Sequence, residues 1–173
     1  NGEYIISKRN DSQGAYSLYL VSDDFALFIG DAQVATTTSG IANDGLWHHV
    51  AVVYEYTGAD DANVYIYIDG VLDHTDTSID TDSNFADDQN VYIGFRVSGS
   101  ASHAFGGNLC NIGFFSAALT QPQIKSIMNK NYAGLTSGEK TNLVSWWNLD
   151  SSVTTVGRTF TEDSHGDNTG ELL

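Results

Sequence analysis

An all-β fold is what this 173-residue sequence predicts: an antiparallel β-sandwich of the jelly-roll kind, with one short helix towards the C-terminal side. Three observations predict it. Short apolar runs alternate with polar residues at the two-residue period of half-buried strands. Clusters of Gly, Asn and Asp, as in "KRNDSQG", "TGADDAN" and "DTDSNFADDQN", punctuate those runs at short intervals. A single stretch, "LTQPQIKSIMNKNYAGL", carries apolar residues at helical spacing between helix start and stop signals. Many short strands separated by such turns build sandwiches and jelly rolls.

Strands are expected near Tyr4–Lys8, Tyr16–Val21, Ala26–Ile29, Gln33–Thr38, His48–Tyr56, Asn63–Ile68, Val71–Thr75, Val91–Phe95 and Leu109–Phe115. The best-defined piece is the hairpin about Asp69-Gly70, since Asp-Gly between two β runs favours a type I′ turn with positive φ at both residues. Before that turn Val64, Ile66 and Ile68 share one face and Tyr65 and Tyr67 the other. The aliphatic set, joined by Val50 and Val52, is assigned to the inter-sheet core. A helix is expected over Gln121–Lys130. Thr120 with Gln123 has capping-box spacing, Pro122 sits in the first turn, and Gly134 is a stop. After it "LVSWWNL" returns to β pattern, with Trp146 and Trp147 on opposite faces.

Composition narrows the function. Acidic residues outnumber basic ones 22 to 7, a formal charge of −15. Such a surface repels phosphate backbones and anionic lipid, so neither nucleic acid nor a membrane is an expected partner. No apolar run reaches the roughly 18 residues of a membrane span. The single cysteine, Cys110, excludes an intrachain disulfide and falls in an expected strand as a small buried hydrophobe. Opening at Asn1 with no signal-peptide pattern, the chain reads as a piece of a longer polypeptide.

The stretch "DGLWHHVAVVYEY…NVYIYIDGVLDHT" resembles the laminin-G-like branch of the concanavalin A-like lectin/glucanase superfamily. Three motifs carry the resemblance: Trp47–Ala51 (Trp-His-His-Val-Ala), Tyr67–Gly70, and the "YIG" run Tyr92–Gly94. Ala118–Thr120 with Ile124 matches the helix start that follows the family's last strand, so the resemblance spans Tyr4 to Met128. It implies a concanavalin A-like sandwich in which the Trp-His-His strand is architecture. The residues agree: His48 and His49 alternate faces and cannot chelate one ion, and no further Cys or His pattern completes a zinc set. Two departures stand out. Cys110 occupies the acidic position of the family's last strand, in Leu109–Ile112, and a thiol is a poor ligand for calcium. The run "NLVSWWNLD…FTEDSHGDNTGELL" resembles the family's opening strand and turn, yet stands at the C-terminus. Residues 1–133 are therefore expected to form the main sandwich. Residues 134–173 are either a permuted strand completing it or the start of a following repeat; the repeat is preferred. The segment Leu119–Asp150 also resembles stretches of phage structural proteins that carry such domains.

Catalysis is not expected. The glucanases of the superfamily take their paired carboxyls from Glu-x-Asp-x-x-Glu on one strand, and none of the five glutamates here begins such a run. No G-x-S-x-G elbow occurs either. Calcium is the one cofactor considered. Its candidate ligands are Asp80, Asp82 and Asn84, which have one-three-five spacing but lack the glycine and terminal acid of a calcium loop, and Asp163 and Asp167 in the C-terminal turn. The expected function is a non-catalytic binding or adhesion module at a virion, extracellular or cell surface. Its partners would be a glycan or a host or cell-surface receptor, together with other structural proteins of the same particle or repeat array. A purely structural virion module without a glycan ligand is the alternative. Sugar stacking is assigned to Tyr65 and Tyr67, joined by Tyr19 and Tyr92 on neighbouring strands. Asp23, Asp24 and His103 supply polar groups from the rim loops.

Overall fold

The structure, a computed structural model, describes residues 2–9, 14–30, 32–58, 61–80, 90–96, 103–150, 153–155, 158–168 and 170–172; of residues 14, 78, 80, 153–155, 158–160 and 170–172 it describes the backbone alone. The chain divides into two compact units, Asn1–Gly107 and Asn108–Leu173.

The first unit is the sandwich. Strands β1 (Glu3–Arg9), β2 (Gly14–Val21), β3 (Asp24–Ile29), β4 (Ala32–Thr36) and β8 (Tyr92–Ile93) form one sheet in the order β4-β3-β2-β1-β8. Strands β5 (Val50–Gly58), β6 (Asp61–Ile68) and β7 (Val71–Asp80) form the other. Every pairing between these strands is antiparallel. One apolar cluster joins the inner faces: Leu18, Leu20, Phe25, Leu27 and Ile29 from the first sheet meet Val64, Ile66, Ile68 and Ile79 from the second. Val64 and Ile66 are wholly buried and Ile68 nearly so, with Val50 and Val52 packed against them, so the expected register holds. Asp69 and Gly70 take φ of 51° and 73°, the positive pair that a two-residue I′ turn requires.

The second unit joins β9 (Ile112–Phe115) and β10 (Leu143–Trp147) in an antiparallel pair, with helix α1 (Gln121–Ile127) between them in sequence. Thr120 N–H donates to the Gln123 side-chain oxygen at 2.8 Å, and Pro122 lies in the first turn, as its sequence implies. Ile127 packs with Leu135, Leu143 and Trp146. Trp146 lies over Gly113, where a Cβ would come within 2.6 Å of the indole. Trp147, facing the other way, meets Phe114 edge to face. Three short strands, β11 (Val153–Thr155), β12 (Arg158–Thr161) and β13 (Gly170–Leu172), complete the unit.

The compact units divide at 107/108, and in the second β9 pairs with β10 and α1 packs on that pair; whether 134–173 completes the sandwich or opens a repeat is a separate question. Several expectations are corrected. Cys110 is exposed and outside the strand, which begins two residues later. Strand β5 begins at Val50, so neither histidine belongs to it. Helix α1 ends at Ile127, three residues short of Lys130. No helix among the described residues is long and apolar enough to cross a membrane.

Candidate ligand-binding rim

At one end of the sandwich the segment 37–49, between β4 and β5, is stitched to two hairpin turns by aspartate side chains. The β2–β3 turn holds its first half. Asp24 Oδ1 accepts from Gly40 N–H at 3.1 Å and from the Thr37 hydroxyl at 3.3 Å. Asn43 Nδ2 donates to the Ser22 carbonyl at 2.7 Å and to Asp23 Oδ1 at 3.1 Å. Asp73, just past the β6–β7 turn, accepts from Thr38 N–H at 3.1 Å. Asp23 and Asp24 are thus at the rim as the sequence suggested, but each already ties down a loop.

The second half is held through His48. Its Nδ1 lies 2.8 Å from Asp69 Oδ2, and its Nε2 lies 3.1 Å from both oxygens of Asp44. The other Asp69 oxygen accepts from His49 N–H at 2.9 Å, and Asp44 Oδ1 also accepts from Leu46 N–H at 2.8 Å. The Asp69 hydrogen bond raises the His48 pKa against the opposing effect of burial, with Asp44 adding to it. Both ring nitrogens thus face carboxylate oxygens. For His49 burial dominates and lowers the pKa, and its Nδ1 is buried without a hydrogen-bond partner. Both histidines are therefore tied to Asp69 of the Asp-Gly turn, His48 through its ring and His49 through its backbone N–H.

Between these anchors the loop displays two apolar side chains to solvent: Leu46 is 73% exposed and Trp47 67%. Sequence reasoning missed them, because Trp47 was taken as the first residue of a structural motif. The available signal was Asn43-Asp44-Gly45, a turn signature directly before it; Gly45 has φ 81°.

The four tyrosines do not form one surface. Tyr65 and Tyr67 lie on the outer face of the three-stranded sheet, both half-buried, with the Tyr65 hydroxyl 3.4 Å from Glu55. Across from Tyr67 stands Leu72, 45% exposed. Tyr19 and Tyr92 belong to the opposite sheet. Tyr19 is buried between Tyr4 and Phe28, ring centroids 5.1 and 5.3 Å away, and its hydroxyl donates to Gln33 Oε1 at 2.6 Å. It is a packing residue and offers no face to a sugar. Tyr92 is half-buried, with its ring edge-on to Phe95. His103 likewise packs edge-on against Tyr4, at 5.6 Å, as part of this aromatic layer.

Of the calcium candidates, Asp82, Asn84 and the Asp80 side chain lie outside the described residues. Asp163 is committed elsewhere. Its Oδ1 accepts from the backbone N–H groups of Trp146, His165 and Gly166 at 2.8, 3.0 and 2.9 Å, and its Oδ2 faces Asn168 Nδ2 at 3.2 Å. N–H dipoles converging on a carboxylate occupy the lone pairs that a cation would need. Asp167 is exposed. Among the described residues no three His, Cys, Asp or Glu side chains are grouped to hold a metal ion.

The sequence matches a family model described as the concanavalin A-like lectin/glucanases superfamily over residues 1–125. The chain belongs to that superfamily. The match covers the whole first unit and runs on into α1. Comparison with curated proteins and with solved structures gave no match. Membership in the superfamily agrees with a binding-module class and leaves the ligand open.

Proposed function

We propose that this chain is a non-catalytic binding or adhesion module that engages a glycan or a cell-surface receptor through the rim carrying Leu46 and Trp47. The observation that carries the reading is the pairing of a largely exposed Trp and Leu with a backbone pinned by Asp44, His48 and Asp69. Exposing an indole and a leucine forgoes roughly 1.5–3 kcal/mol of burial for each side chain, and a preordered aromatic at a loop tip is what a ligand-stacking site needs. Tyr67 with Leu72 on the adjoining sheet face provides a second platform. The non-catalytic part of the reading rests on the sequence, where no paired-carboxyl strand motif occurs.

A shallow site of this kind binds single sugars weakly, in the rough millimolar range near −4 kcal/mol, so useful avidity needs several copies. That favours display in an array, at a virion or cell surface. The test is a glycan array probed with the tetramerised chain, with and without calcium. Binding that saturates and is competed by the free sugar supports the reading. No binding to any glycan or to host-cell surfaces would leave the purely structural virion module in its place.

A further inference from the structure

We propose that His48 is a proton-operated latch for the rim: as the imidazolium it ties Asp44 to Asp69 and holds the Trp47 loop in its displayed position, and as the neutral imidazole it lets the Asp44 side go. The geometry requires the charged form. Each ring nitrogen faces a carboxylate oxygen, and carboxylates only accept, so both nitrogens must carry a proton for both contacts to be hydrogen bonds. Neutral imidazole has one N–H. The shorter contact, 2.8 Å to Asp69, keeps it, and the Nε2 lone pair is then left 3.1 Å from the Asp44 carboxylate. Two electron-rich groups at that distance repel.

Among the described residues the titratable groups facing the imidazole are Asp44 from its own loop and Asp69 from the β6–β7 turn; His49, the next residue, shares Asp69 through its backbone N–H. On the Asp69 side the imidazole meets the end of β6, where Asp69 N–H donates to the His49 carbonyl at 2.8 Å and continues the β5–β6 ladder by one residue. On the Asp44 side Leu46 and Trp47 are exposed, and the next anchors lie at Ala42 and Asn43, which are held by Asp23 and the Ser22 carbonyl, so the stretch free to move is 44–47. Release therefore acts on the loop and leaves the hairpin in place. The consequence for ligand binding, weaker capture at alkaline pH, rests on the function proposed above; the latch itself is read without any ligand.

The experiment is NMR titration of the whole chain from pH 5 to 9. The His48 ring nitrogens are followed by long-range ¹H–¹⁵N correlation, and the Trp47 indole N–H is assigned by its disappearance in Trp47→Phe. The expected result is a His48 midpoint above 6.5 with the Trp47 signal moving at the same midpoint, and no such movement in His48→Gln. Should His48→Gln fail to fold, Asp69→Asn retains the turn, since Asn-Gly also favours type I′. It should lower both midpoints together by about one pH unit. A Trp47 signal that stays still while His48 deprotonates, or that titrates unchanged in His48→Gln or in Asp69→Asn, would overturn the latch.

Discussion

Asp163→Asn isolates a structural carboxylate that the sequence presented as a metal ligand. In the folded chain burial works against its charge, but backbone N–H groups of Trp146, Gly166 and His165 and the Ser145 hydroxyl outweigh it and hold the carboxyl at about 2, against an ordinary 3.8. That difference corresponds at pH 7 to an upper bound of roughly 2.5 kcal/mol. The carboxylate is partly open to solvent, so about 1–1.5 kcal/mol is the expected loss on neutralising it. Asp163→Ala leaves the N–H groups without an acceptor and should cost more, about 2–3 kcal/mol. The sign with pH follows from the lowered folded value. The stabilisation is complete above the unfolded value near 3.8 and is lost as pH falls through about 2. The assay is urea unfolding followed by the fluorescence of Trp146 and Trp147, both buried in the same unit, at pH 7 and at steps down to pH 2. The gap between wild type and Asp163→Asn should close over the acid steps. Equal stability at pH 7, or a gap undiminished between pH 5 and pH 2, refutes the assignment; a calcium-dependent gap would restore the metal reading.

Other perturbations have equally definite outcomes. Ile66→Ala, at a fully buried site between the sheets, should cost about 3–4 kcal/mol in denaturant unfolding, whereas Tyr65→Ala on the outer face should cost less than half of that. Gly113→Ala should destabilise the second unit by about 1–3 kcal/mol, because the added methyl meets the Trp146 ring, and it should shift the tryptophan emission. The two histidines should give thermal stability a maximum near pH 6.5. His48, with a raised folded pKa, loses its contribution as pH climbs from 6.5 through that value. His49, with a lowered one, costs stability as pH drops below 6.5. Melting curves of His48→Gln should lack the alkaline limb and those of His49→Gln the acid one.

Local features were legible in the sequence and long-range ones were not. The Asp-Gly turn, the Val64–Ile68 alternation and the Thr120–Gln123 cap each depend on residues within a few positions, and each stands in the structure where it was expected. Tyr19 and Tyr92 were grouped with Tyr65 and Tyr67 because all sit on β-patterned runs. Which sheet a strand joins is decided by pairing across the chain, however, and strand order placed them on opposite sheets. His48 looked like strand because it adjoins Val50–Gly58. Its ring bonds to Asp69, 21 residues on, and Asp44 hold it in a loop instead. Strands β11 to β13 are only three or four residues long, too short for a periodic signal. The rim site was half visible: Asp23 and Asp24 were found, while Leu46 and Trp47 were hidden inside a motif read as architecture.

The most direct measurement compares wild type with Trp47→Ala, as tetramers, on the same glycan array and on cells. Trp47 is exposed, so the substitution should leave the melting temperature unchanged within about 1 °C while array binding falls at least tenfold, about 1.4 kcal/mol for each stacked ring. Tyr67→Ala should give a smaller loss. Undiminished binding by a folded Trp47→Ala chain would contradict the assignment of the rim as the ligand site.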